Sequence, residues 1–250
     1  GAMDLGLENR VALVTGASGG IGAVIATTLA AEGARVALGC HTGRDKAEQL
    51  AGQIGAAMVV SHDLADPATI RAAADAVAQN WGRLDILVTS AWASPGWARP
   101  DNPAEATPAR AWQDQMRVNA EGTAFTVQAV LPHMRAAGWG RIVLMSSGAA
   151  DGAPGLEQYA AAKAALHGLA RSLARSAGQA GILTNIVMPG LIPTQRHRQS
   201  IPQQVLDEIA ARNPTGRLAT EDDVARLVAF LASAANNSVT GAEIHVGQGA

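Results

Sequence analysis

The chain has 250 residues, of which 48% are hydrophobic, and its formal net charge is −2. This length and apolar content fit one α/β domain with a large core, and the dispersed basic residues exclude the positive patch that nucleic acids require. One cysteine, Cys40, excludes an internal disulfide, and no secretory signal or apolar run of about 18 residues is present. We therefore expect a cytoplasmic protein with neither a nucleic-acid nor a membrane partner.

The first predicted strand, residues 11–15, leads into a glycine-rich turn and a helix over residues 23–32. Glycines let backbone amides approach a pyrophosphate, and a helix N-terminus adds free N–H groups and a positive dipole end. This context favours nucleotide binding over an ordinary loop, although the spacing of the turn differs from the common fingerprint. The predicted phosphate-binding residues are Gly16, Ser18, Gly19, Gly20, Ile21 and Gly22.

The end of the second strand, residues 35–39, bears on the choice of cofactor. In such folds an acid at this place binds the ribose 2′-OH of NAD, whereas a basic environment accepts the 2′-phosphate of NADP. The residues that follow are Cys40, His41, Thr42, Gly43 and Arg44, and no acid precedes Asp45. We therefore predict NADP(H) rather than NAD(H), with His41 and Thr42 as contacts. The alternative is that His41 and Arg44 are ordinary solvated loop residues.

Strands and helices continue to alternate along the rest of the chain. Helices are predicted over residues 45–54, 67–81, 112–131, 160–177 and 221–233, and strands over 58–61, 85–88, 141–145, 182–187 and 243–246. This alternation predicts a single-domain Rossmann-type doubly wound parallel sheet of about seven strands with helices on both faces. Ligands of such folds bind at the carboxyl ends of the strands. We expect the domain to span residues 4–250, with a substrate lid over 191–215 and a tag remnant in residues 1–3.

Tyr159 and Lys163 lie four residues apart on a predicted helix, and so one turn apart on the same face. An ammonium beside a phenol favours the phenolate, which predicts a lowered pKa for Tyr159 and a role in proton transfer. Taken alone, this spacing more often marks an ordinary structural pair. Asn119 lies in the middle of another predicted helix, where asparagine is a poor helix former.

Together these residues resemble the short-chain dehydrogenase/reductase family, and most closely its bacterial 3-oxoacyl-carrier-protein reductases and glucose dehydrogenases. The resemblance spans residues 7 to 249 and rests on the glycine turn, Asp63, Asn119, a serine pair, Tyr159-Ala-Ala-Ala-Lys163 and Pro189-Gly190. It implies that Tyr159 exchanges a proton with the substrate oxygen, that Lys163 lowers the pKa of Tyr159, and that Asn119 holds a relay water. The further cofactor contacts it implies are Asp63, Leu64, Ser90, Ala91, Tyr159, Lys163, Pro189, Gly190, Ile192 and Thr194.

The sequence departs from the family pattern in three places. The end of the fourth strand reads Thr89-Ser90-Ala91-Trp92 instead of Asn-Asn-Ala-Gly, so we expect Trp92 to change the backbone or narrow the pocket. Counting back from Tyr159 selects Ser146 as the catalytic serine, whereas aligning the fifth strand selects Ser147, which we prefer. The arginines that dock acyl-carrier protein in the reductases fall on Gly138 and Ala180, which argues against an ordinary fatty-acid reductase.

We therefore predict an NADP(H)-dependent oxidoreductase that acts on a ketone or secondary alcohol, with Asn119, Ser147, Tyr159 and Lys163 as catalytic residues. The alternatives are an NAD-dependent dehydrogenase, or a catalytically altered cofactor-binding protein that serves as a sensor or scaffold. The histidines show no metal-ligand spacing, so no metal site is predicted. The family usually forms tetramers, and the resemblance implies a homo-oligomer, either a tetramer or a dimer.

Overall fold

The computed structural model describes residues 3–96, 101 and 103–247, with no side chain for residue 196. Within these residues seven strands form one parallel sheet in the order β3-β2-β1-β4-β5-β6-β7. The strands are β1 (Val11–Thr15), β2 (Arg35–Cys40), β3 (Ala57–Ser61), β4 (Ile86–Thr89), β5 (Gly140–Met145), β6 (Ile182–Pro189) and β7 (Glu243–Val246). The predicted doubly wound sheet is confirmed. The first two residues of the predicted tag remnant lie outside the described residues.

The described chain contains nine α-helices, several of which pack on the two faces of the sheet. They are α1 (Gly20–Ala31), α2 (Arg44–Ile54), α3 (Pro67–Trp81), α4 (Ala109–Gln115), α5 (Gly122–Ala137), α6 (Glu157–Ala177), α7 (Gln195–Ser200), α8 (Gln203–Arg212) and α9 (Glu221–Leu231). Alternate residues of β1 belong to two different apolar clusters, Ala12 and Val14 to one and Val11 and Leu13 to the other. Both faces of the sheet are therefore buried, which explains why its strands read as continuous aliphatic runs.

Two differences between the predicted and the observed helices lie next to the candidate site. The helix predicted from residue 23 begins at Gly20, because the last glycines of the turn already form its first turn. The helix predicted over residues 112–131 consists of α4, a π-helical turn over Met116–Glu121, and α5, which continues to Ala137. Such π-turns widen a helix locally and often occur at functional sites. This π-turn contains Asn119.

The amino ends of the strands, called here the N-terminal edge of the sheet, have a network of buried charges. The Asp85 carboxylate is fully buried and accepts hydrogen bonds from the Val11 amide and from two nitrogens of Arg83, at 2.8 to 2.9 Å. Arg141 donates to the carbonyls of Gly140, Gly181, Ser233 and Asn236, and its burial lowers its pKa to about 10. Every charge in this network has partners, so this edge holds the sheet together.

Candidate active site

The sheet reverses its order of connection between β1 and β4, and the candidate site lies at the carboxyl ends of these two strands. Thr15 and Thr89 are register partners at that edge. The Thr15 hydroxyl accepts a hydrogen bond from the Ala91 amide at 3.1 Å, which fixes the chain as it leaves β4. In doubly wound sheets this crevice is where ligands bind.

The glycine turn after β1 has two parts with different physical roles. Gly16 has φ +63°, and a Cβ placed there would lie 2.7 Å from the Ala91 backbone, while a Cβ at Gly22 would lie 2.3 Å from the Gly16 oxygen. These two glycines allow the turn to pack against the end of β4. A Cβ at Gly19 or Gly20 would meet no atom within 4 Å. Open space therefore lies over Gly19 and Gly20, and α1 begins there without a side-chain cap.

Two features of this turn, its unpaired amides and the free space above them, fit the pyrophosphate of a dinucleotide. The first amides of α1 have no side-chain acceptor, and the space over them is free, so an anionic oxygen could accept their hydrogen bonds. In the predicted phosphate-binding turn, close packing requires glycine at positions 16 and 22, and Gly20 leaves the space over the start of α1 open. Ser18 borders the same turn, and its Oγ would lie 3.0 Å from a Cβ at Gly43.

The ends of β2 and β3 bring the predicted cofactor-selecting residues together. His41 Nδ1 lies 3.5 Å from Asp63 Oδ2, and Asp63 Oδ1 accepts the Ala65 amide at 2.9 Å. Arg44, at the start of α2, reaches toward the Ser61 hydroxyl at 3.4 Å and pairs with Glu48 at 2.9 Å. Thr42 is exposed between them, and Leu64 is buried. The exposed guanidinium of Arg44 therefore places a positive charge beside the ends of β2 and β3.

Tyr159 lies in the first turn of α6 and is 9% exposed. Burial raises the pKa of its phenol, and the neighbouring Ser147 hydroxyl opposes that rise. The Ser147 oxygen accepts the Ala149 amide at 3.1 Å, which leaves its hydrogen free to be donated. Ser147 is therefore the serine that affects Tyr159, whereas the Ser146 side chain contacts His167.

Lys163 lies one turn further along α6 and is 4% exposed. Its ammonium donates to the Met145 carbonyl at 3.1 Å, and burial lowers its pKa to about 8. The predicted lowering of the Tyr159 pKa by Lys163 is not found in this state. Nζ lies 5.9 Å from the centre of the phenol ring, and desolvation of Tyr159 outweighs other effects. Lys163 is the only lysine near the phenol within the described chain, and it faces the same edge.

Asn119 is fully buried in the π-turn and binds the segment that follows β4. Its Oδ1 accepts the Ala93 amide at 2.9 Å, and its Nδ2 donates to the Ala93 carbonyl at 3.0 Å and to Gln115 Oε1 at 2.7 Å. The side chain is therefore held by protein partners, which gives an asparagine within a helix its structural reason. Its predicted role in holding a relay water is not seen in these contacts and stays a prediction.

Trp92, held next to Ala93, is the departure with the largest effect on the shape of the site. Its ring centre lies 6.0 Å from that of Tyr159 with an angle of 53° between the ring planes, and the residue is 50% exposed. An exposed indole therefore lies beside the phenol, and the narrowing of the pocket by Trp92 stays a prediction. Ser90, just before it, borders Gly22: a Cβ there would lie 3.1 Å from Ser90 Oγ.

The residues after β6 close the opposite side of the site. Gly190 directly follows Pro189, the last residue of β6, and its amide donates to the Val246 carbonyl of β7 at 2.9 Å. Ile192 is buried. Thr194 caps α7, and its hydroxyl and the Ile192 carbonyl both lie within hydrogen-bond distance of His197 Nδ1, at 3.3 and 2.6 Å. The predicted lid thus contains α7 and α8, and His197 holds the start of α7 against the backbone of buried Ile192.

Sequence reasoning missed a chain of polar side chains that begins one helical turn beyond Tyr159 and Lys163 on α6. Ser146 Oγ lies 2.8 Å from His167 Nε2, and His167 Nδ1 lies 3.2 Å from a carboxylate oxygen of Glu243. The available signal was the four-residue spacing of Tyr159, Lys163, His167 and Arg171, which continues one helix face beyond the first two residues. In the described residues no cluster of three or more His, Cys, Asp or Glu side chains could hold a metal ion.

Comparison with known proteins gives a consistent assignment. Residues 16–250 match the family model described as enoyl-(acyl carrier protein) reductase. The chain is 39% identical to D-threitol dehydrogenase of Mycolicibacterium smegmatis, covering 98% of this chain and 94% of that protein. It is 37% identical to 3-oxoacyl-[acyl-carrier-protein] reductase of Escherichia coli, covering 98% of both chains.

A solved structure has the same fold over nearly the whole chain. It is a gluconate 5-dehydrogenase from Burkholderia cenocepacia in complex with NADP and tartrate, with a TM-score of 0.87 and 32% identity over 98% of this chain and 96% of that one. No helix of the described residues is long and apolar enough to span a membrane. From the family match and these relatives, the chain is an oxidoreductase of the short-chain dehydrogenase/reductase family.

Proposed function

We propose that this enzyme interconverts a ketone and a secondary alcohol with NADP(H), using Tyr159 as the general acid and base. The observation that supports the proposal most is that the Ser147 side chain and buried Lys163 both lie beside Tyr159, at the same sheet edge as the open glycine turn. A proton donor, a positive charge and a phosphate-binding turn therefore share one edge of the sheet.

In this mechanism Tyr159 gives its phenolic proton to the carbonyl oxygen during reduction, and takes the alcohol proton during oxidation. The nicotinamide, when bound, supplies or accepts the hydride. The Ser147 hydroxyl, held by the Ala149 amide, orients the reacting oxygen against the phenol. Lys163 places a positive charge behind Tyr159, and its pKa of about 8 lets it exchange protons near the working pH.

We propose Asn119 as the fourth catalytic residue, acting through the position of the segment after β4. It holds both backbone groups of Ala93 and thereby Trp92 beside the phenol. Trp92 then supplies an apolar wall at the entrance, which suits a small or medium substrate with a flat or apolar part. Two of the relatives are named for hydroxylated substrates, threitol and gluconate, and these are the first compounds to assay.

The preference for NADP(H) is supported by Arg44, the exposed cation at the ends of β2 and β3. Arg44→Ala should weaken NADPH binding about tenfold and leave NADH binding unchanged, because only NADPH has a 2′-phosphate for a guanidinium to bind. Lys46→Ala is the matched control on the same helix. Equal losses for both dinucleotides would contradict the preference. The NAD-dependent alternative predicts tighter NADH binding in the unaltered enzyme.

The test of the activity itself is a set of ketones and secondary alcohols, with NADPH consumption or formation followed by absorbance. We expect turnover of at least one compound, and its loss in Ser147→Ala. The second candidate is a cofactor-binding sensor or scaffold, favoured by the altered sequence at Thr89-Ser90-Ala91-Trp92. Binding of NADPH without turnover of any compound, threitol and gluconate included, would support that candidate.

We further propose a homo-oligomer, a tetramer or a dimer. Phe125 on α5 is 37% exposed beside a surface groove of about 330 Å³ that Arg117 and Glu121 also line. Replacing Phe125 with glutamate should shift the mass measured by light scattering toward the monomer, since a carboxylate beside Glu121 would replace the exposed phenyl ring at the proposed contact. Location in the cytoplasm stays a prediction from the sequence.

A further inference from the structure

Three successive turns of α6 hold the end of β5. At the first turn Tyr159 meets Ser147, at the second Lys163 donates to the Met145 carbonyl, and at the third His167 meets Ser146. Residues four apart on a helix share one face, so these three contacts form a single row against three consecutive residues of the chain. The third contact uses a histidine that the proposed chemistry does not touch.

His167 is itself fixed from behind. Its Nδ1 lies 3.2 Å from Glu243 Oε2, and Arg171, one turn further along α6, pairs with the other oxygen of the same carboxylate. Glu243 is the first residue of β7 and the register partner of Ile186, which in turn pairs with Leu144 of β5. The row on α6 is therefore anchored to the far strand of the sheet.

The hydrogen bonds also have a direction that is chemically consistent. A carboxylate only accepts hydrogen bonds, so Glu243 selects the imidazole tautomer with its proton on Nδ1. His167 Nε2 then accepts the hydrogen of the Ser146 hydroxyl. Ser146 is 7% exposed and its amide donates to the Val187 carbonyl at 2.9 Å, so both its backbone and its side chain are tied.

We propose that His167 is a positioning residue which, supported by Glu243, fixes Ser146 and so places the adjacent Ser147 hydroxyl against Tyr159. This inference rests on the proposed function, in which Ser147 and Tyr159 act on the reacting oxygen. The residues that position the reacting groups then extend from Ser147 through Ser146 and His167 to Glu243. Among the described residues, the Ala149 amide is the one hydrogen-bond partner that fixes the Ser147 side chain, at 3.1 Å.

The chain offers a direct readout, because Tyr159 is its only tyrosine. Tyrosinate absorbance over the alkaline range in which circular dichroism stays native therefore reports the ionisation of this phenol alone, with no substrate or cofactor present. Loss of the Ser147 hydroxyl should raise the pKa of Tyr159, since a neighbouring hydroxyl that donates to the phenol oxygen favours the phenolate. Ser147→Ala gives the size of the full effect.

The variants separate the two ends of the imidazole. His167→Asn keeps a polar nitrogen near the place of Nδ1 and loses the contact with Ser146, whereas His167→Gln reaches the place of Nε2 and keeps it. We expect His167→Asn to raise the Tyr159 pKa as Ser147→Ala does, and to lower kcat about tenfold with KM and NADPH affinity within about twofold of the unaltered enzyme. His167→Gln should restore both quantities.

Ser146→Ala is the second variant and should reproduce the effect of His167→Asn without altering the helix. The control is His133→Asn, which removes a similar histidine–carboxylate pair: His133 Nε2 of α5 lies 3.3 Å from Asp75 Oδ1 of α3, and neither residue belongs to the row on α6. It should change neither the titration nor kcat. A Tyr159 pKa in folded Ser146→Ala and His167→Asn equal to that of the unaltered protein would overturn the proposal. Because the titration needs no turnover, this result is distinct from a failure of the proposed activity.

Discussion

The amino ends and the carboxyl ends of the strands, the N-terminal and carboxyl edges of the sheet, hold buried charges in opposite ways. At the N-terminal edge the Asp85 carboxylate receives three hydrogen bonds, and the Arg141 guanidinium reaches four carbonyls while packing on the Trp139 ring at 4.2 Å. At the carboxyl edge Lys163 is equally buried, yet only one carbonyl accepts from it within the described residues. At the N-terminal edge several hydrogen bonds satisfy each buried charge. At the carboxyl edge the Lys163 ammonium keeps donors free for a ligand.

This difference separates stability from function within one strand. Arg141, the second residue of β5, belongs to the structural network, and the strand ends two residues before Ser147 of the candidate site. We therefore expect substitutions at the N-terminal edge to lower the free energy of unfolding with little change in catalysis, and substitutions at the carboxyl edge to do the reverse.

The largest expected effect on stability comes from Asp85→Ala. It leaves the Val11 amide and the guanidinium of Arg83 without their buried acceptor, which should lower the free energy of unfolding by about 3–5 kcal/mol. Urea unfolding measures the loss, and kcat at low temperature should stay within about twofold of the unaltered enzyme. Asp75→Ala, at an exposed ion pair, is the control and should change stability by less than about 1 kcal/mol. A loss of catalysis in folded Asp85→Ala would break the comparison.

Lys163→Met should abolish turnover while making the protein more stable at neutral pH. Burial lowers the pKa of Lys163 from 10.5 to about 8, so between these values the unfolded chain holds a proton that the folded chain has lost. The stability of the unaltered protein therefore rises with pH across this window, and falls as pH drops through about 8. The advantage of Lys163→Met, about 3 kcal/mol at pH 7, should shrink toward zero near pH 10.

Unfolding by urea at several pH values, with both proteins measured side by side, tests this sign. Titration of the other groups cancels in the difference between the two proteins. An advantage that grows with pH would contradict the burial of a charged Lys163.

Two glycines of one turn give the smallest but most selective test. Gly16→Ala combines a positive φ with a Cβ 2.7 Å from the Ala91 backbone, so it should destabilise the fold by about 1–3 kcal/mol. Gly19 is extended and its Cβ would meet nothing, so Gly19→Ala should leave thermal unfolding unchanged and weaken NADPH binding about tenfold by filling the phosphate space. Fluorescence titration with NADPH measures the binding. Unchanged affinity in Gly19→Ala would remove Gly19 from the cofactor site.

The alternation of strands and helices and the order of motifs could be predicted because each depends on local chemistry. Aliphatic runs, glycine turns and four-residue spacing are visible in the sequence, and they sufficed for the sheet and for Tyr159 with Lys163. The direction of the Tyr159 pKa could not be predicted, since it depends on how deeply tertiary packing buries the phenol. The link from Ser146 through His167 to Glu243 was equally hidden, because a sheet register brings together residues 97 positions apart.

The same limit explains Asn119 and Trp92. A poor helix former in a helix could be read as exposed, but the π-turn buries it and turns its amide onto Ala93. That contact in turn sets Trp92 beside Tyr159, so the shape of the entrance depends on a tertiary hydrogen bond that spacing does not reveal.

The central claim is that Tyr159 supplies the proton in a site whose other parts bind the cofactor independently, and Tyr159→Phe tests it most directly. The substitution removes one hydroxyl from a buried ring. NADPH binding should stay within about twofold of the unaltered enzyme, while kcat for a confirmed ketone substrate should fall at least about a hundredfold. Turnover by Tyr159→Phe at the rate of the unaltered enzyme would contradict the account.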